Sequence, residues 1–251
     1  MFPDPDWLRA GLDAAFEDAV RPLRQAHGPL GVLFSGGVDS ALLAWELRHR
    51  PELVLCTMGR EDSPDLRAGR RGAERLGLPW EPVAVDRDRV RATEERFSKE
   101  LAGLSPVSRS VLLAITIALE GASSTRLVCG QGADELFLGY AHYRGLSDAG
   151  AEQRSREDLA RLRATDWPVT RRIAGRLGKE VLAPYLAAPF EAAATRIPIS
   201  LRLPNDLPKR FFREWAVSRG LPEELALRPK KAVQYGSGVD ALWKSLRPAR
   251  R

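Results

Sequence analysis

With 251 residues, 44% of them hydrophobic, the chain can bury a substantial core as one large domain, or as one domain with a C-terminal extension. It has no apolar run of about 18 residues for a membrane span and no export signal at its start, so we expect a cytoplasmic protein with no membrane partner. Its net charge of +6 comes from basic residues interleaved with acidic ones, which favours a solvated surface over a nucleic-acid site, although an anionic ligand would also benefit.

The first half of the chain predicts alternating helices and strands. An amphipathic helix spans residues 6–26. The pattern then predicts the strands Gly31–Phe34, Leu53–Met58, Trp80–Val85 and Leu127–Cys129, and between them the helices Asp39–Arg48, Asp65–Leu76, Asp88–Ala102 and Val107–Leu119. Such alternation indicates an α/β fold, a parallel sheet with helices on both faces. The two cysteines, Cys56 and Cys129, lie in apolar strand runs without metal or redox spacing, so we interpret them as buried thiols.

The C-terminal part has a different composition. Beyond Tyr143, charged helical stretches and proline-punctuated segments predict helices and no strand. We therefore divide the chain into an α/β domain over 1–145 and a mostly helical part over 146–251. The second part would pack on the first and complete its site, unless the two form one continuous domain.

A glycine loop connects the first predicted strand to the helix that follows it. The loop is Ser35-Gly36-Gly37-Val38-Asp39-Ser40. Backbone N–H groups and the positive end of a helix bind anions, and we expect a phosphate here. The loop lacks the lysine of a Walker A sequence, and Asp39 suits a metal ion that would neutralise phosphate charge. A purely structural turn is the alternative, since glycine pairs are common between strands and helices.

The same hexapeptide resembles the pyrophosphate-binding signature of the PP-loop ATP pyrophosphatase superfamily, whose members split ATP between the α and β phosphates. A second glycine loop, residues 129–140, narrows the choice within that superfamily. It reads Cys-Gly-Gln-Gly-Ala-Asp-Glu-Leu-Phe-Leu-Gly-Tyr and resembles the asparagine synthetase pattern Ser-Gly-Glu-Gly-Ala-Asp-Glu-Leu-Phe-Gly-Gly-Tyr. Loops that follow parallel strands gather at the carboxyl edge of the sheet, so both loops could line one crevice.

The resemblance implies roles for residues in and near the two loops. Asp134 would join Asp39 as a magnesium ligand, and Gly130 would lie beside the bound ATP. The second predicted strand also follows the family pattern, which places Met58 and Leu33 against the adenine. Without the family, both residues are simply apolar core residues.

A third similar element lies near the C-terminus. Residues 228–238 are similar to the lysine segment of asparagine synthetases and, through Arg-Pro-Lys and Gly-Ser-Gly, to that of β-lactam synthetases. The match makes Lys230 the catalytic lysine at the reacting acyl phosphate, where an ammonium would stabilise developing charge. A basic surface turn is the alternative. Residues 178–187 resemble a degraded family segment, which we interpret as packing.

Two departures from the family pattern bear on the chemistry. The chain has Phe2 where glutamine-dependent members have a catalytic cysteine, so we expect ammonia, another amine or a separate glutaminase subunit to supply nitrogen. Gln131 replaces a family glutamate near the reacting centre. A neutral amide can orient a substrate but cannot act as a general base near neutral pH.

The resemblance as a whole implies an amide-forming ligase that uses ATP and Mg²⁺. It would activate a carboxylate, in the leading case the side chain of aspartate, as an acyl-adenylate and then amidate it, with Lys230 and Gln131 at the reacting centre. A PP-loop enzyme that acts on tRNA and a non-catalytic ATP-binding subunit are the alternatives. The sequence leaves the oligomeric state open, including a homo-oligomer.

Overall fold

A parallel five-stranded sheet forms the centre of the fold. This computed structural model describes residues 6–203, 208–229 and 232–246. The strands are β1 Leu30–Leu33, β2 Leu53–Gly59, β3 Trp80–Ala84, β4 Arg126–Val128 and β5 Glu180–Leu182. Their order is β3-β2-β1-β4-β5, and each neighbouring pair is parallel. The predicted α/β fold is confirmed, and the carboxyl ends of all these strands lie at one edge.

Helices make up most of the remaining described chain. They are α1 Asp6–Gln25, α2 Val38–Leu47, α3 Pro64–Leu76, α4 Arg87–Arg96, α5 Pro106–Gly121, α6 Ala133–Leu136, α7 Asp148–Arg161, α8 Trp167–Arg176, α9 Ala188–Thr195, α10 Ile199–Arg202, α11 Arg210–Ser218, α12 Glu223–Ala226, α13 Val233–Gly236 and α14 Val239–Ser245. The predicted helix over 88–102 ends early, at Arg96, where Phe97 leaves the helical conformation with its ring fully buried. Among the described residues, no helix combines the length and apolar composition that crossing a membrane requires.

The sheet separates two apolar cores, because alternate residues of a strand face opposite sides. Leu53 and Leu55 of β2 pack into one core, which includes buried residues of α1, α2 and α11. Cys56 and Met58 pack into the other core, with buried residues of α5, α8 and α14. Both cores therefore contain residues from the first and the second half of the chain.

Strand β5 shows that the prediction of no strand beyond residue 145 is wrong. It pairs in parallel with β4, with Val181 opposite Leu127. The strand has three residues, of which Val181 is the buried one, so its alternation is too short to be recognised as a strand pattern. Residues on both sides of the predicted division at 145 thus share one sheet, and the division itself stays a prediction.

The N-termini of the helices at the carboxyl edge of the sheet differ in their capping. Helix α3 begins after Ser63, whose side chain accepts a hydrogen bond from Leu66 N, and Ser105 caps α5 through Ser108 N. Both are ordinary N-caps. Helix α2 begins after Gly37, and no side chain of the described residues caps it. Its first N–H groups are therefore available to an anion.

Candidate active site

The first glycine loop, residues 35–40, is folded around its own hydroxyl groups. Ser35 N donates to Ser40 Oγ at 3.2 Å, the Oγ atoms of these two serines lie 3.2 Å apart, and Ser40 Oγ donates to Gly37 O at 3.1 Å. Gly36 has a φ of 66°, and a Cβ there would lie 2.9 Å from the carbonyl carbon of Ala68. The loop thus wraps tightly over the start of α2, and only glycine fits at Gly36.

Arg228 holds the first loop from the C-terminal part of the chain. Its Nε donates to Gly36 O at 2.8 Å, and its Nη2 donates to Ser35 O at 3.2 Å. The C=O and N–H groups of a trans peptide point in opposite directions. Because Arg228 binds the two carbonyls, the amide groups of Gly36 and Gly37 are turned to the opposite side, where Gly37 N donates a long hydrogen bond of 3.5 Å to Ser35 Oγ.

The second glycine loop, residues 130–140 of the motif at 129–140, touches the first. A Cβ on Gly130 would lie 2.9 Å from Cβ of Asp39, so a side chain there would push the loops apart. Gly132, with a φ of 97°, starts α6. Gln131 is half-buried, and its Oε1 accepts a long hydrogen bond of 3.7 Å from Cys129 Sγ. The two loops that the sequence predicts at one edge are therefore brought together.

Asp39 and Asp134 share one ammonium group between the two loops. Lys209 Nζ lies 2.7 Å from Asp39 Oδ1 and 2.7 Å from Asp134 Oδ1, and Lys209 is only 4% exposed. A Cβ on Gly139 would lie 2.0 Å from Asp134 Oδ1 and 2.1 Å from Lys209 Cε, so this glycine makes room for the ion pair. Burial alone would lower the pKa of Lys209, but Asp134 and Asp39 together raise it above its ordinary value.

The two carboxylates converge on one cation, which in this structure is the ammonium of Lys209. Both Oδ1 atoms lie 2.7 Å from the same Nζ atom, so they converge on one point of positive charge. Across the described residues, no group of three or more His, Cys, Asp or Glu side chains could hold a metal. Magnesium in nucleotide sites is bound by one or two carboxylates, with phosphate oxygens and waters as its other ligands. Two converging carboxylates are the donor set that such a site provides.

Glu135 supports the second loop from inside. Its carboxyl group is buried and accepts a hydrogen bond of 2.7 Å from Tyr140 OH, and its carbonyl accepts one of 2.8 Å from Ser155 Oγ of α7. Burial first, and the charge of Asp134 second, raise the pKa of Glu135 to about 7. The loop is thus fixed by its own residues, by α7 and by Arg202 of α10, which donates to Leu136 O at 2.9 Å, while Asp134 and Gln131 are half-buried.

The remaining predicted site residues lie in three different settings. Leu33 is the last residue of β1, and Met58 is the last but one residue of the neighbouring parallel strand β2. Leu33 is half-buried, Met58 is 5% exposed, and both belong to the same apolar core. Val38 is buried in the first turn of α2. Lys230 lies outside the described residues.

Sequence reasoning missed Lys209 and Arg228 as site residues. A signal for Lys209 was present, because the chain has six lysines among 39 basic residues, and a lysine kept in an arginine-rich chain suggests a role that arginine cannot fill. Arg228 lies in the segment similar to the family's lysine segment, but its contact with the first loop spans nearly two hundred residues and leaves no local pattern.

Comparison with known proteins gives one consistent result. The family model for asparagine synthase matches residues 11–165 and 145–251. The glutamine-hydrolyzing asparagine synthetase of Gallus gallus is 30% identical over 258 aligned positions, which cover 97% of this chain and 46% of that protein. The human protein of the same name is 29% identical over 252 positions, covering 94% and 45%. The chain thus spans slightly less than half the length of these relatives.

Proposed function

Because the chain belongs to the asparagine synthase family, we propose that it is an ATP-dependent carbon–nitrogen ligase. It activates a carboxylate, in the leading case the side chain of aspartate, as an acyl-adenylate, and ammonia then displaces AMP to give asparagine. One observation carries the proposal: the uncapped start of α2, the two carboxylates and the buried Lys209 meet at the carboxyl edge of the sheet.

The first loop binds the β and γ phosphates of ATP. The N–H groups at the start of α2 and the hydroxyl groups of Ser35 and Ser40 are its donors, and the helix dipole favours the negative charge. Leu33 and Met58, at the ends of neighbouring strands, form an apolar surface for the adenine. Gly130 allows the nucleotide to approach the second loop.

Asp39 and Asp134 would hold the magnesium ion, which when bound neutralises phosphate charge and makes the α-phosphate a better electrophile. Lys209 adds a fixed positive charge between the two loops, where the charge of the departing pyrophosphate builds up. A buried ammonium stabilises such charge more than an exposed one does, because water does not screen it. Tyr185, whose OH donates to Asp39 O at 2.8 Å, keeps the backbone of Asp39 in place.

The first chemical step is attack of an acceptor carboxylate oxygen on the α-phosphorus. The bond from that phosphorus to the bridging oxygen breaks, and pyrophosphate leaves on the side of the first loop. Ammonia then attacks the acyl carbon, AMP leaves with the bonding electrons, and the nitrogen loses a proton. We assign Lys230 to the acyl phosphate by its flanking sequence, and Gln131 to orienting the acceptor or the amine through its amide.

The two thiols of this chain are not nucleophiles for the reaction. Hydrolysis of glutamine by a cysteine would need a reactive thiolate. Burial is the main cause that raises the pKa of both Cys56 and Cys129 to about 12, and the chain has no other cysteine. Neither buried thiol is suited to attack glutamine, and we propose ammonia, another amine or the product of a separate glutaminase subunit as the nitrogen source.

The test is a reaction of the purified chain with ATP, MgCl₂, aspartate and ammonium chloride. We expect AMP, pyrophosphate and asparagine in equal amounts, and no asparagine when glutamine replaces ammonium. Pyrophosphate release without asparagine would eliminate aspartate as the acceptor. Nucleotide binding without pyrophosphate release, across a panel of carboxylates, would reject the ligase and leave an ATP-binding subunit.

A further inference from the structure

Arg213 of α11 connects two backbone segments near the site. The side chain is buried, at 6% exposure. Its Nε donates to Pro208 O at 2.8 Å, and its Nη1 donates to Arg228 O at 3.2 Å and to Ala226 O. All three acceptors are main-chain carbonyls, so the guanidinium fixes the course of the chain at two places that lie about twenty residues apart in sequence.

The two places that Arg213 joins are the ones that reach the glycine loops. Pro208 directly precedes Lys209, whose ammonium lies between Asp39 and Asp134. Arg228 holds the carbonyls of the first loop. Arg213 therefore binds the backbone next to both cationic side chains, at Pro208 O and Arg228 O, and neither acceptor belongs to a glycine loop.

Lys209 needs this support because its backbone is strained. It lies at the N-cap of α11 with φ 59° and ψ 30°, a left-handed conformation that costs free energy for a residue other than glycine. Arg213 N donates to Lys209 O at 2.9 Å, while the Arg213 guanidinium holds Pro208 O. Arg213 thus fixes the peptide groups on both sides of the strained residue.

We propose that Arg213 is a positioning residue that holds Lys209 and Arg228 as one unit, so that the phosphates of a nucleotide meet both glycine loops in their binding geometry. The inference rests on the ATP-binding part of the proposed function and not on the identity of the acceptor. Three cations, Arg213, Lys209 and Arg228, gather beside the two carboxylates of the loops.

Arg50 provides a matched control for a substitution of Arg213. It is 8% exposed, and it too donates to three main-chain carbonyls: to Gly28 O at 2.8 Å, and to Leu23 O and Ala26 O. It follows the C-terminal end of α2, so the ten-residue helix separates it from the first loop by about 15 Å. Arg50→Lys therefore makes the same chemical change, in the same kind of setting, far from the phosphates.

The experiment compares wild type, Arg213→Lys and Arg50→Lys. A lysine cannot replace the planar fork that reaches several carbonyls at once, so we expect a similar loss of Tm in both variants. The Kd for MgATP, and for pyrophosphate with magnesium, should rise about tenfold or more in Arg213→Lys and change less than about twofold in Arg50→Lys. Hydrogen exchange of the loop amides at 36–40 should quicken only in Arg213→Lys.

Arg228→Lys is a second variant, for the case that Arg213→Lys does not fold. It removes the contacts with the first loop from a half-buried position, and it should raise the same Kd values. Unchanged binding in the folded variants, or equal weakening in Arg50→Lys, would overturn the inference. Normal ATP binding by wild type without asparagine formation would reject the aspartate acceptor and leave the inference standing.

Discussion

The two glycine loops meet at one site but present different chemical groups to it. The first loop presents backbone N–H groups and hydroxyl groups. Its one carboxylate, Asp39, is buried, and Arg228 binds the loop backbone from a distant part of the chain. The second loop presents side chains, with Asp134 and Gln131 half-buried at its surface, and its own Glu135 and Tyr140 support it. The first loop is suited to binding phosphate, whereas in the proposed function the second loop selects the chemistry that follows.

This difference predicts how substitutions act. In the first loop, a substitution acts mainly by steric clash, because the backbone forms the binding surface. In the second loop, a substitution acts mainly by changing the charge or the orientation of a side chain. Lys209 binds one carboxylate of each loop, and Gly130 of the second loop lies against Asp39 of the first. Substitutions at these two residues therefore test whether the two loops work as one site.

The largest effect is expected from removing either carboxylate. Asp39→Asn and Asp134→Asn should each lower kcat/KM for pyrophosphate release by about 10³-fold, because each removes a proposed ligand of the magnesium ion. Asp39→Asn should also lower the free energy of unfolding by about 3 kcal/mol, since it leaves a buried ammonium short of one partner. Asp134 is half-buried, so its substitution should cost less stability. Denaturant unfolding and a pyrophosphate assay measure both effects.

Asp62→Asn is the control for these two variants, because Asp62 is exposed outside the loops. It should leave activity and stability unchanged. Equal stability losses in Asp39→Asn and Asp134→Asn would contradict the contrast between a buried and a half-exposed carboxylate.

Lys209→Met tests the charge between the loops. It leaves Asp39 and Asp134 facing each other without the ammonium, so we expect a loss of about 3 kcal/mol in the free energy of unfolding and a drop of about 10²-fold in kcat/KM. Magnesium chloride should raise the Tm of the variant more than that of wild type, because both carboxylates remain to bind it. The same Tm shift with magnesium in both proteins would show that the carboxylates do not converge on a cation.

Gly130→Ala tests the contact between the loops. The new Cβ would lie 2.9 Å from Cβ of Asp39, a distance that forces the loops a few tenths of an ångström apart. We expect about a tenfold lower kcat/KM, because small displacements of catalytic groups are costly. Gly175→Ala is the control. Gly175 lies in α8 with nothing within 4 Å of an added Cβ, and the change should raise stability by about 0.5–1 kcal/mol without altering activity.

The sequence predicts the elements whose pattern is local. Helix α1, strands β1 to β4 and both glycine loops follow from periodicity and glycine placement within short windows, and their meeting at one edge follows from the parallel sheet. Strand β5 was missed because three residues carry no usable alternation. Lys209 and Arg228 were missed because their contacts join the C-terminal part to loops near residues 39 and 134, and no sequence window contains both partners.

The smallest effect is expected at the two thiols, one at the base of each loop. Cys129 directly precedes the second loop, and Cys56 O accepts a hydrogen bond of 2.7 Å from Phe34 N, just before the first. Burial raises the pKa of both to about 12, so at pH 8.5 the thiolate fraction is about 10³-fold lower than for an exposed cysteine. Iodoacetamide should leave both thiols unmodified in the folded protein and modify both in guanidinium chloride.

Above pH 8.5 the rate of alkylation of the folded chain should keep rising tenfold per pH unit, where the rate for an exposed thiol levels off. Faster reaction of Cys129 than of Cys56 would show that the second loop opens more readily than the first, and bound MgATP should then remove the difference.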